Sequence, residues 1–473
     1  MSDIALTPKS GKFSLSLGAL ALMCIPLVLI FVCFANKFGL YTIPPGPRVI
    51  LIFALLISLM LTGMPISISL GLSVLIFLYT MTNVPIDAVG LKLFTGIENF
   101  EIMAIPFFIL AGNFLTRGGV AKRMIDFATS LIGHLPGGLA ISGIVACAMF
   151  ALVCGSSVAT VVAIGSIILP EMVRQGYPKA FGAGIITVAG SLGILMLPSI
   201  PKVIYAVSTG TSIGALFVAG LIPGISLAAA LCLVTWYIAL KGNFPRMPKS
   251  TWAQRFKAFR DSAWGLMLIV IIIGGIYSGI FTATEAAAVS AVYSFVIAIF
   301  VYGEIGLKDV PRVLLRSANM SAMLLYIITN AALFAFVLAN ENIPNQLASW
   351  LIAQHMGTWG FLALVNVLIL IAGNFMDPSS IILIMAPILF PTAMKLGINP
   401  VHLGILIDVN LEVGLCHPPV GLNIYVASGI SGIGITDMTK AVLPWLVTMI
   451  VFLIFVTYIP WLSLVLPRAM GML

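Results

Sequence analysis

The sequence predicts an all-α, polytopic membrane protein with two inverted repeats, each containing a re-entrant hairpin and a broken helix. Of its 473 residues, 61% are hydrophobic and only 8% are charged, whereas a soluble domain carries about a quarter charged residues. Apolar stretches long enough to cross a bilayer recur along nearly the whole chain. No soluble domain of useful size fits between them.

The apolar stretches divide the chain into two repeats and the segments that flank them. Residues 1–47 are predicted to be an extra N-terminal helix and linker, retained because no A-x-A-like cleavage site follows the helix. Residues 48–100 and 213–318 are predicted scaffold helices, the latter with a basic cytoplasmic loop at 241–261, and 437–473 a C-terminal helix. The repeats occupy 101–212 and 319–436. Predicted spans are 15–35, 48–63, 66–82, 102–116, 181–209, 213–240, 262–282, 285–303, 319–339, 403–430 and 440–466.

Two further apolar stretches, 139–172 and 360–394, have polar centres, which predict two short helices in each. The centres read Cys154-Gly155-Ser156-Ser157 and Asn374-Phe375-Met376-Asp377-Pro378-Ser379-Ser380. Ordinary helical hairpins are the alternative to re-entrant ones, and the basic residues favour the re-entrant topology. With the N-terminus in the cytoplasm, 17 Lys and Arg fall inside and five outside, as the positive-inside rule requires. The outer five are Lys37, Arg48, Lys92, Lys395 and Arg468, and Lys202 lies within a span.

Seven positions repeat along the chain at a separation of 220 or 221 residues. Five predicted crossings, an odd number, lie between the two hairpins, so the repeats have opposite orientations. Inverted repeats with interrupted helices are typical of secondary transporters, which bind their substrates near the midplane. The matching positions are Pro170, Pro198, Ile204, Tyr205, Ser208, Gly214 and Pro223 with Pro391, Pro419, Ile424, Tyr425, Ser428, Gly434 and Pro444.

Each hairpin is followed by a span that proline interrupts, at 181–209 and 403–430. The breaks read Leu197-Pro198-Ser199-Ile200-Pro201 and His417-Pro418-Pro419-Val420-Gly421. Proline removes a backbone donor and clashes with the preceding turn, so a simple kink is one interpretation. Such backbone survives at membrane depth where it is buried in protein or lines a wet cavity. Freed carbonyl, Ser and Asn oxygens suit sodium, and helix N-termini after each break suit a carboxylate.

Other classes of function have weaker support in the sequence. Gly210-Thr211-Ser212-Ile213-Gly214 matches the G-x-S-x-G pattern of serine hydrolases, but that motif needs a preceding strand and an activating His. Walker A and H-E-x-x-H motifs are absent, the six cysteines have no metal or redox spacing, and no cofactor is expected. A passive channel remains an alternative.

Ionisable residues within the apolar segments are candidates for function, because a charge is costly in a membrane. Glu285, Asp377, Asp408 and Glu412 are such residues, and Asp377 lies at a hairpin centre. His417 could relay protons or cap a helix.

From about residue 48 onward the chain resembles the large membrane subunit, of the DctM type, of tripartite ATP-independent periplasmic (TRAP) transporters. The resemblance rests on GSSVATVVAIGSIILPEM from Gly155, AVSTGTSIGALFVAGLIPG from Ala206, GIFTATEAAAVSAVY from Gly279, ANMSAMLLYIITNA from Ala318 and HPPVGLNIYVASGISGIGIT from His417. It is closest to the C4-dicarboxylate branch. The extra helix within 1–47, and Leu197 and Lys202 in place of a proline and an apolar residue, depart from the family pattern.

The resemblance implies a sodium-driven elevator transporter in the bacterial inner membrane, with no enzymatic activity and no nucleic-acid partner. Its implied partners are a small four-helix membrane subunit, a periplasmic substrate-binding protein and the lipid bilayer. The substrate would be a small organic anion, a C4-dicarboxylate or another carboxylate or sulfonate. The implied sodium ligands are Gly155, Ser156, Ser157, Pro198, Ser199 and Pro201 in the first repeat, and Asn374, Asp377, Ser379, Pro418, Pro419 and Gly421 in the second.

Four residues are predicted to contact the substrate: Lys202, Ser157, Ser380 and Asn423. Lys202 follows the first break near the middle of a span, where three interpretations compete. Its ammonium could reach toward the membrane surface, pair with Asp377, Asp408 or Glu412, or face the substrate cavity and bind an anion. The expectation we carry forward is the substrate cavity.

Overall fold

A computed structural model describes residues 17–354, 357–374, 376–418 and 421–473 of the chain. Throughout these ranges the regular structure is helical, and they contain no β-strand. Nine helical segments within them are long and apolar enough to cross a membrane. The prediction of an all-α, polytopic membrane protein is therefore confirmed. The chain forms two compact units, residues 1–93 and 94–473.

The first unit contains three apolar helices that pack against one another, and the first residues of α4. Polar contacts join the helix ends: the Asn36 side chain accepts a hydrogen bond from the Ile43 amide (2.9 Å) and donates to the Thr80 carbonyl (3.3 Å). The Lys37 ammonium donates to the Tyr79 carbonyl at 2.9 Å. The helices are α1 (Leu17–Lys37), α2 (Pro45–Leu61), α3 (Ile66–Met81) and α4 (Ile86–Thr95).

The second unit contains the remaining helices, whose lengths vary from 7 to 31 residues. A 3₁₀ turn precedes α5, and one turn of π-helix follows α14. The helices are α5 (Ala104–Arg117), α6 (Val120–Ile132), α7 (Gly138–Cys154), α8 (Ser157–Arg174), α9 (Lys179–Leu195), α10 (Ile200–Thr209), α11 (Ile213–Ala219), α12 (Leu221–Lys241), α13 (Trp252–Tyr277), α14 (Ala283–Val296), α15 (Val310–Asn340), α16 (Ile343–Ala353), α17 (Thr358–Gly373), α18 (Pro378–Lys395), α19 (Pro400–Cys416), α20 (Leu422–Ser431), α21 (Ile435–Tyr458) and α22 (Trp461–Ala469).

Both predicted hairpins and both broken helices form at the predicted places. Helices α7 and α8 are the arms of the first hairpin, and α9 and α10 are the two halves of the broken helix that follows it. In the second repeat α17 and α18 are the hairpin arms, and α19 and α20 are the half-helices. The first hairpin reverses at Gly155–Ser156 and the second between α17 and α18. Each reversal leaves backbone N–H groups at the start of the second arm without a partner in the helix. Ser156 and Asp377 cap these helix starts with side-chain oxygens.

The tip of the first hairpin lies beside the break in the helix that follows it. Helix α8 runs from the tip to Arg174, and after four connecting residues α9 starts and returns to the break. With 18 and 17 residues, each helix covers about 26 Å, which is less than the ~30 Å of a bilayer core. The ten residues of α10 then add about 15 Å. Measured along the α9–α10 pair, the hairpin tip thus lies beside the break between the two half-helices and not at either end of the pair.

The two repeats interlock. The half-helix after the first break, α10, packs against the second hairpin arm α18, and its counterpart α20 packs against α8. Each repeat also brings a glycine of its broken helix against its own hairpin. A Cβ on Gly193 would lie 2.6 Å from the Ser156 backbone, and one on Gly414, 221 residues later, 3.1 Å or less from the Gly373 backbone. The shared register seen in the sequence is therefore matched in three dimensions.

Several helices differ from the spans expected from hydropathy. Helix α6 was not predicted, because Lys122, Arg123 and Asp126 make it amphipathic and not uniformly apolar. Helices α4 and α16 were not predicted either. Helix α13 begins ten residues before its expected start, because Thr251 and Gln254 form a capping box that starts the helix within the basic segment.

Candidate functional site

The first hairpin tip contacts the first break through a glycine. Gly155 ends α7 in the left-handed region (φ +64°), and a Cβ there would lie 2.2 Å from the Pro198 carbonyl oxygen. Only glycine permits both the conformation and this approach. Ser156 caps α8, with its hydroxyl accepting from the Ala159 amide (3.4 Å), and Ser199 caps α10, accepting from the Lys202 amide (3.4 Å). We call this contact region the first junction.

The second junction, where the second hairpin tip meets the second break, is built from different residues. The Asn374 side-chain oxygen lies 2.9 Å from Nδ1 of His417 at the end of α19. Asp377 caps α18 and accepts hydrogen bonds from the Ser380 amide (3.2 Å) and the Ser380 hydroxyl. Gly421 begins α20 with φ +52°, and a Cβ there would lie 2.8 Å from the His417 carbonyl oxygen.

The predicted sodium ligands are thus brought together in two groups, one at each junction. Ser157, Pro201 and Ser379 are buried beside them, and Pro418 is half-buried. Pro419 lies outside the described residues. Backbone carbonyls and hydroxyl oxygens at each junction are the ligand type that a hard cation prefers. No cluster of three His, Cys, Asp or Glu that could hold a metal occurs in the described part of the chain.

A buried hydrogen bond joins the two repeats between the junctions. The Asn423 side-chain amide, in the first turn of α20, donates to the Ser157 hydroxyl at 2.7 Å and to the Thr187 carbonyl at 3.3 Å. The Asn423 side-chain oxygen is buried without a hydrogen-bond partner among the described residues. Two of the predicted substrate residues, Ser157 and Asn423, are therefore in direct contact. The hydroxyl of Ser380, the third of these residues, donates a hydrogen bond to the Asp377 carboxylate.

Lys202, which we expected to face the substrate cavity, lies in a buried cluster of charged side chains. Its side chain is 1% exposed. Its ammonium donates a hydrogen bond to the Leu195 carbonyl and lies 3.6 Å from Oδ2 of Asp408. A Cβ on Gly220 would lie 2.2 Å from the same ammonium, so that glycine makes room for it. Both carboxyl oxygens of the fully buried Glu412 lack a hydrogen-bond partner in the described structure. The contact matches the pairing interpretation with Asp408, and a part in substrate binding stays a prediction.

The chain matches a family model across most of its length. Residues 53–462 match the DctM component of tripartite ATP-independent periplasmic transporters. The chain belongs to the DctM family.

Individual relatives agree with this assignment, and one solved structure shares the fold. The Rhodobacter capsulatus C4-dicarboxylate TRAP transporter large permease protein DctM is 64% identical over 89% of this chain and 99% of its own length. The isethionate TRAP transporter permease protein DctMQ of Oleidesulfovibrio alaskensis is 39% identical over 92% of this chain and 68% of its own length. The fold is also similar to the crystal structure of the Alcanivorax borkumensis YdaH transporter, with a TM-score of 0.60, 15% identity, and 95% and 99% coverage of the two chains.

This DctM-family chain also has a cavity of about 210 Å³ beside the first junction. The cavity is lined by α5, the first hairpin, the start of α10 and α15, and its polar lining is Asn113, Thr116, Arg117, Ser156 and Arg316. A water occupies about 30 Å³ of liquid, so the cavity has the volume of about seven waters. A cavity of this volume can hold a small organic molecule.

Arg117 and Arg316 are the lining residues that sequence reasoning missed. They entered that reasoning only as basic residues on the cytoplasmic side, and they are 199 positions apart. No local pattern indicates that α5 and α15 lie side by side. The charges were visible in the sequence, but their convergence was not.

The structure also gives roles to the residues of the competing hypotheses. Ser212 caps α11, accepting from the Ala215 amide at 3.3 Å, and its motif follows a helix and not the strand that a nucleophile elbow requires. Glu285 is exposed and forms a capping box with Thr282 at the start of α14. Both residues therefore take part in capping the N-termini of helices.

Proposed function

We propose that this chain is the large permease of a sodium-coupled TRAP system in the bacterial inner membrane, importing a small organic anion. The observation that carries the proposal is the pair of junctions, where each hairpin tip meets a broken helix in one shared register. Each junction offers carbonyl and hydroxyl oxygens for a sodium ion. We assign the sodium ligands to the two groups of residues predicted from the resemblance.

The anion would bind at the junctions, where helix N-termini converge. Helices α8 and α10 start at the first junction, and α18 and α20 at the second. The positive end of a helix macrodipole and its free N–H groups favour carboxylates. Sodium ions at both junctions would add positive charge next to the same space. Anion and sodium would thereby stabilise each other's binding.

We also propose an elevator mechanism, which the interlocking of the repeats supports. Because α10 packs on α18 and α20 packs on α8, the junctions belong to one body. The Asn423–Ser157 hydrogen bond adds a polar tie within it. We propose that this body moves as a unit and carries both sodium sites and the substrate across the membrane. Binding sites that moved independently would lose the coupling between ion and anion.

C4-dicarboxylates are the proposed substrate class, and another carboxylate or a sulfonate is the alternative. Relatives named as C4-dicarboxylate permeases are 64%, 52% and 45% identical to this chain, whereas the isethionate permease is 39% identical. As in other TRAP systems, a periplasmic binding protein would deliver the substrate and a small four-helix subunit would complete the membrane complex. No cofactor is needed beyond the coupling ion.

The test is uptake into proteoliposomes that contain both membrane subunits, with the cognate binding protein outside. We expect succinate uptake to rise sigmoidally with external sodium and to be independent of ATP. A panel of malate, fumarate, isethionate and monocarboxylates as competitors identifies the substrate class. Unchanged uptake when choline replaces sodium would contradict sodium coupling. If isethionate competes better than the dicarboxylates, the substrate class is the sulfonates and not the C4-dicarboxylates.

A further inference from the structure

Two exposed arginines line the cavity beside the first junction, and neither has an acidic partner among the residues that the structure describes. Arg117 is the last residue of α5, and Arg316 lies near the start of α15. Both side chains line the cavity, and neither forms an ion pair within the described residues. Two neighbouring arginines are paired: Arg123 with Glu304 at 3.3 Å and Arg312 with Asp309 at 3.9 Å. Unpaired guanidinium groups in a cavity are available to an anion.

A hydrogen bond between the two helices fixes the position of this pair. The Asn113 side-chain amide on α5 donates to the Ser317 hydroxyl on α15 at 2.8 Å. Arg117 lies four residues after Asn113, and therefore on the same face of α5, and Arg316 directly precedes Ser317. The bond thus holds the segments that carry both arginines against each other. Asn113 itself also lines the cavity.

The lining of the cavity also includes the N-terminus of an 18-residue helix. Ser156, Val158 and Ala159, in the cap and first turn of α8, line it together with Ile200, the first residue of α10. This part of the lining carries the positive helix end, where the Ala159 amide already donates to the Ser156 hydroxyl. The cavity lining therefore has two positive parts, one made of guanidinium groups and one made of helix ends.

We propose that Arg117 and Arg316 bind one carboxylate of a dicarboxylate substrate while the N-terminus of α8 binds the other. This inference rests on the proposed function and extends its binding site to α5 and α15. A small cavity with two positive parts in its lining suits the two carboxylates of a short dianion, whereas a monocarboxylate would leave one part without a ligand. Planar guanidinium groups also match carboxylates geometrically better than an ammonium does. The arginines would thus select for the second carboxylate.

The alternative is that both arginines only obey the charge bias of cytoplasmic ends. Arg312 separates the two explanations, since it lies one turn before Arg316 on the same helix and its partner is Asp309. The variant Arg312→Gln removes the same charge from the same helix end without touching the cavity lining. It is the matched control for Arg316→Gln. A general electrostatic role predicts equal effects of these two variants.

The experiment measures succinate and butyrate binding by the purified two-subunit membrane complex in sodium. Arg117→Gln and Arg316→Gln should each weaken succinate binding about tenfold or more, as expected for a lost charge-assisted hydrogen bond. Arg312→Gln should stay within about twofold of wild type. Butyrate binding should change little in all three variants, so the preference for succinate falls.

A second readout separates folding from binding. Thermal stabilisation by sodium alone should persist in every variant, because the sodium ligands are untouched. Wild-type succinate affinity in the Arg117→Gln, Arg316→Gln double variant would overturn the inference, as would an equal loss in Arg312→Gln. If wild-type complex bound no succinate at all, the proposed substrate class itself would fail, and the arginine pair with it. If the wild-type complex binds succinate and the double variant binds it with the same affinity, the proposed function survives without the arginine pair.

Discussion

Replacing Lys202 by methionine tests the buried charge cluster of Lys202, Asp408 and Glu412. The ammonium and the Asp408 carboxylate lie 3.6 Å apart, and their side chains are 1% and 2% exposed. Methionine preserves a linear apolar stem but leaves both carboxyl groups without the ammonium. Removing one partner of a buried pair costs about 3–5 kcal/mol, because the other charge stays buried and uncompensated. We expect the free energy of unfolding of Lys202→Met to fall by about this amount.

The assay is thermal unfolding of the purified protein in detergent, with the double variant Lys202→Met, Asp408→Asn as the decisive comparison. Because the second substitution removes the stranded charge, it should recover more than half of the lost stability. The exposed Lys179 provides the control, since Lys179→Met removes a lysine from the start of α9 at little cost. A Lys202→Met protein that melts like wild type would refute the reasoning. A stable double variant with a strongly raised half-saturation constant for transport would instead assign Lys202 to the substrate.

Three further predictions concern the junctions. Gly155→Ala should destabilise the protein by more than Gly210→Ala, because both positions have positive φ (about 1–2 kcal/mol for alanine) but only Gly155 has a close neighbour, at 2.2 Å; equal melting temperatures would contradict the close approach. Ser156→Ala and Ser379→Ala should each raise the half-saturation constant for sodium in uptake assays, although only Ser156→Ala removes a helix cap, at a cost of ~1 kcal/mol of stability; unchanged sodium dependence in both would remove these hydroxyls from the sites. A double-mutant cycle of Ser157→Ala and Asn423→Ala should give a coupling of about 0.5–1.5 kcal/mol in unfolding, and additive effects would show that the 2.7 Å bond is not formed.

The parts of the fold that were predictable from the sequence have strong local signals. Proline and glycine determine backbone conformation within a few residues, so the reversal at Gly155 and the break at Pro198 were visible without tertiary information. The repeat then indicated the same elements in the second half of the chain. Helix α6 was missed for the opposite reason, because hydropathy detects uniformly apolar segments and this helix carries charge on one face.

Contacts between distant residues could not be predicted in the same way. Lys202 and Asp408 are 206 positions apart, and three carboxyl groups were equally plausible partners in the sequence. The structure selects Asp408 because α10 and α19 come into contact. Arg117 and Arg316 converge for a similar reason, through the contact of α5 with α15. Sequence patterns identify which residues are costly to bury, whereas only packing determines which of them meet.

The central claim is that two junctions bind sodium ions that move with the substrate. The measurement that tests it most directly is the ratio of radioactive sodium to succinate taken up by proteoliposomes containing the complete system, with the membrane potential clamped. Two junctions predict at least two sodium ions per succinate, and a lower ratio in Ser156→Ala or Ser379→Ala vesicles. A ratio of one or less in the wild-type protein would contradict the account.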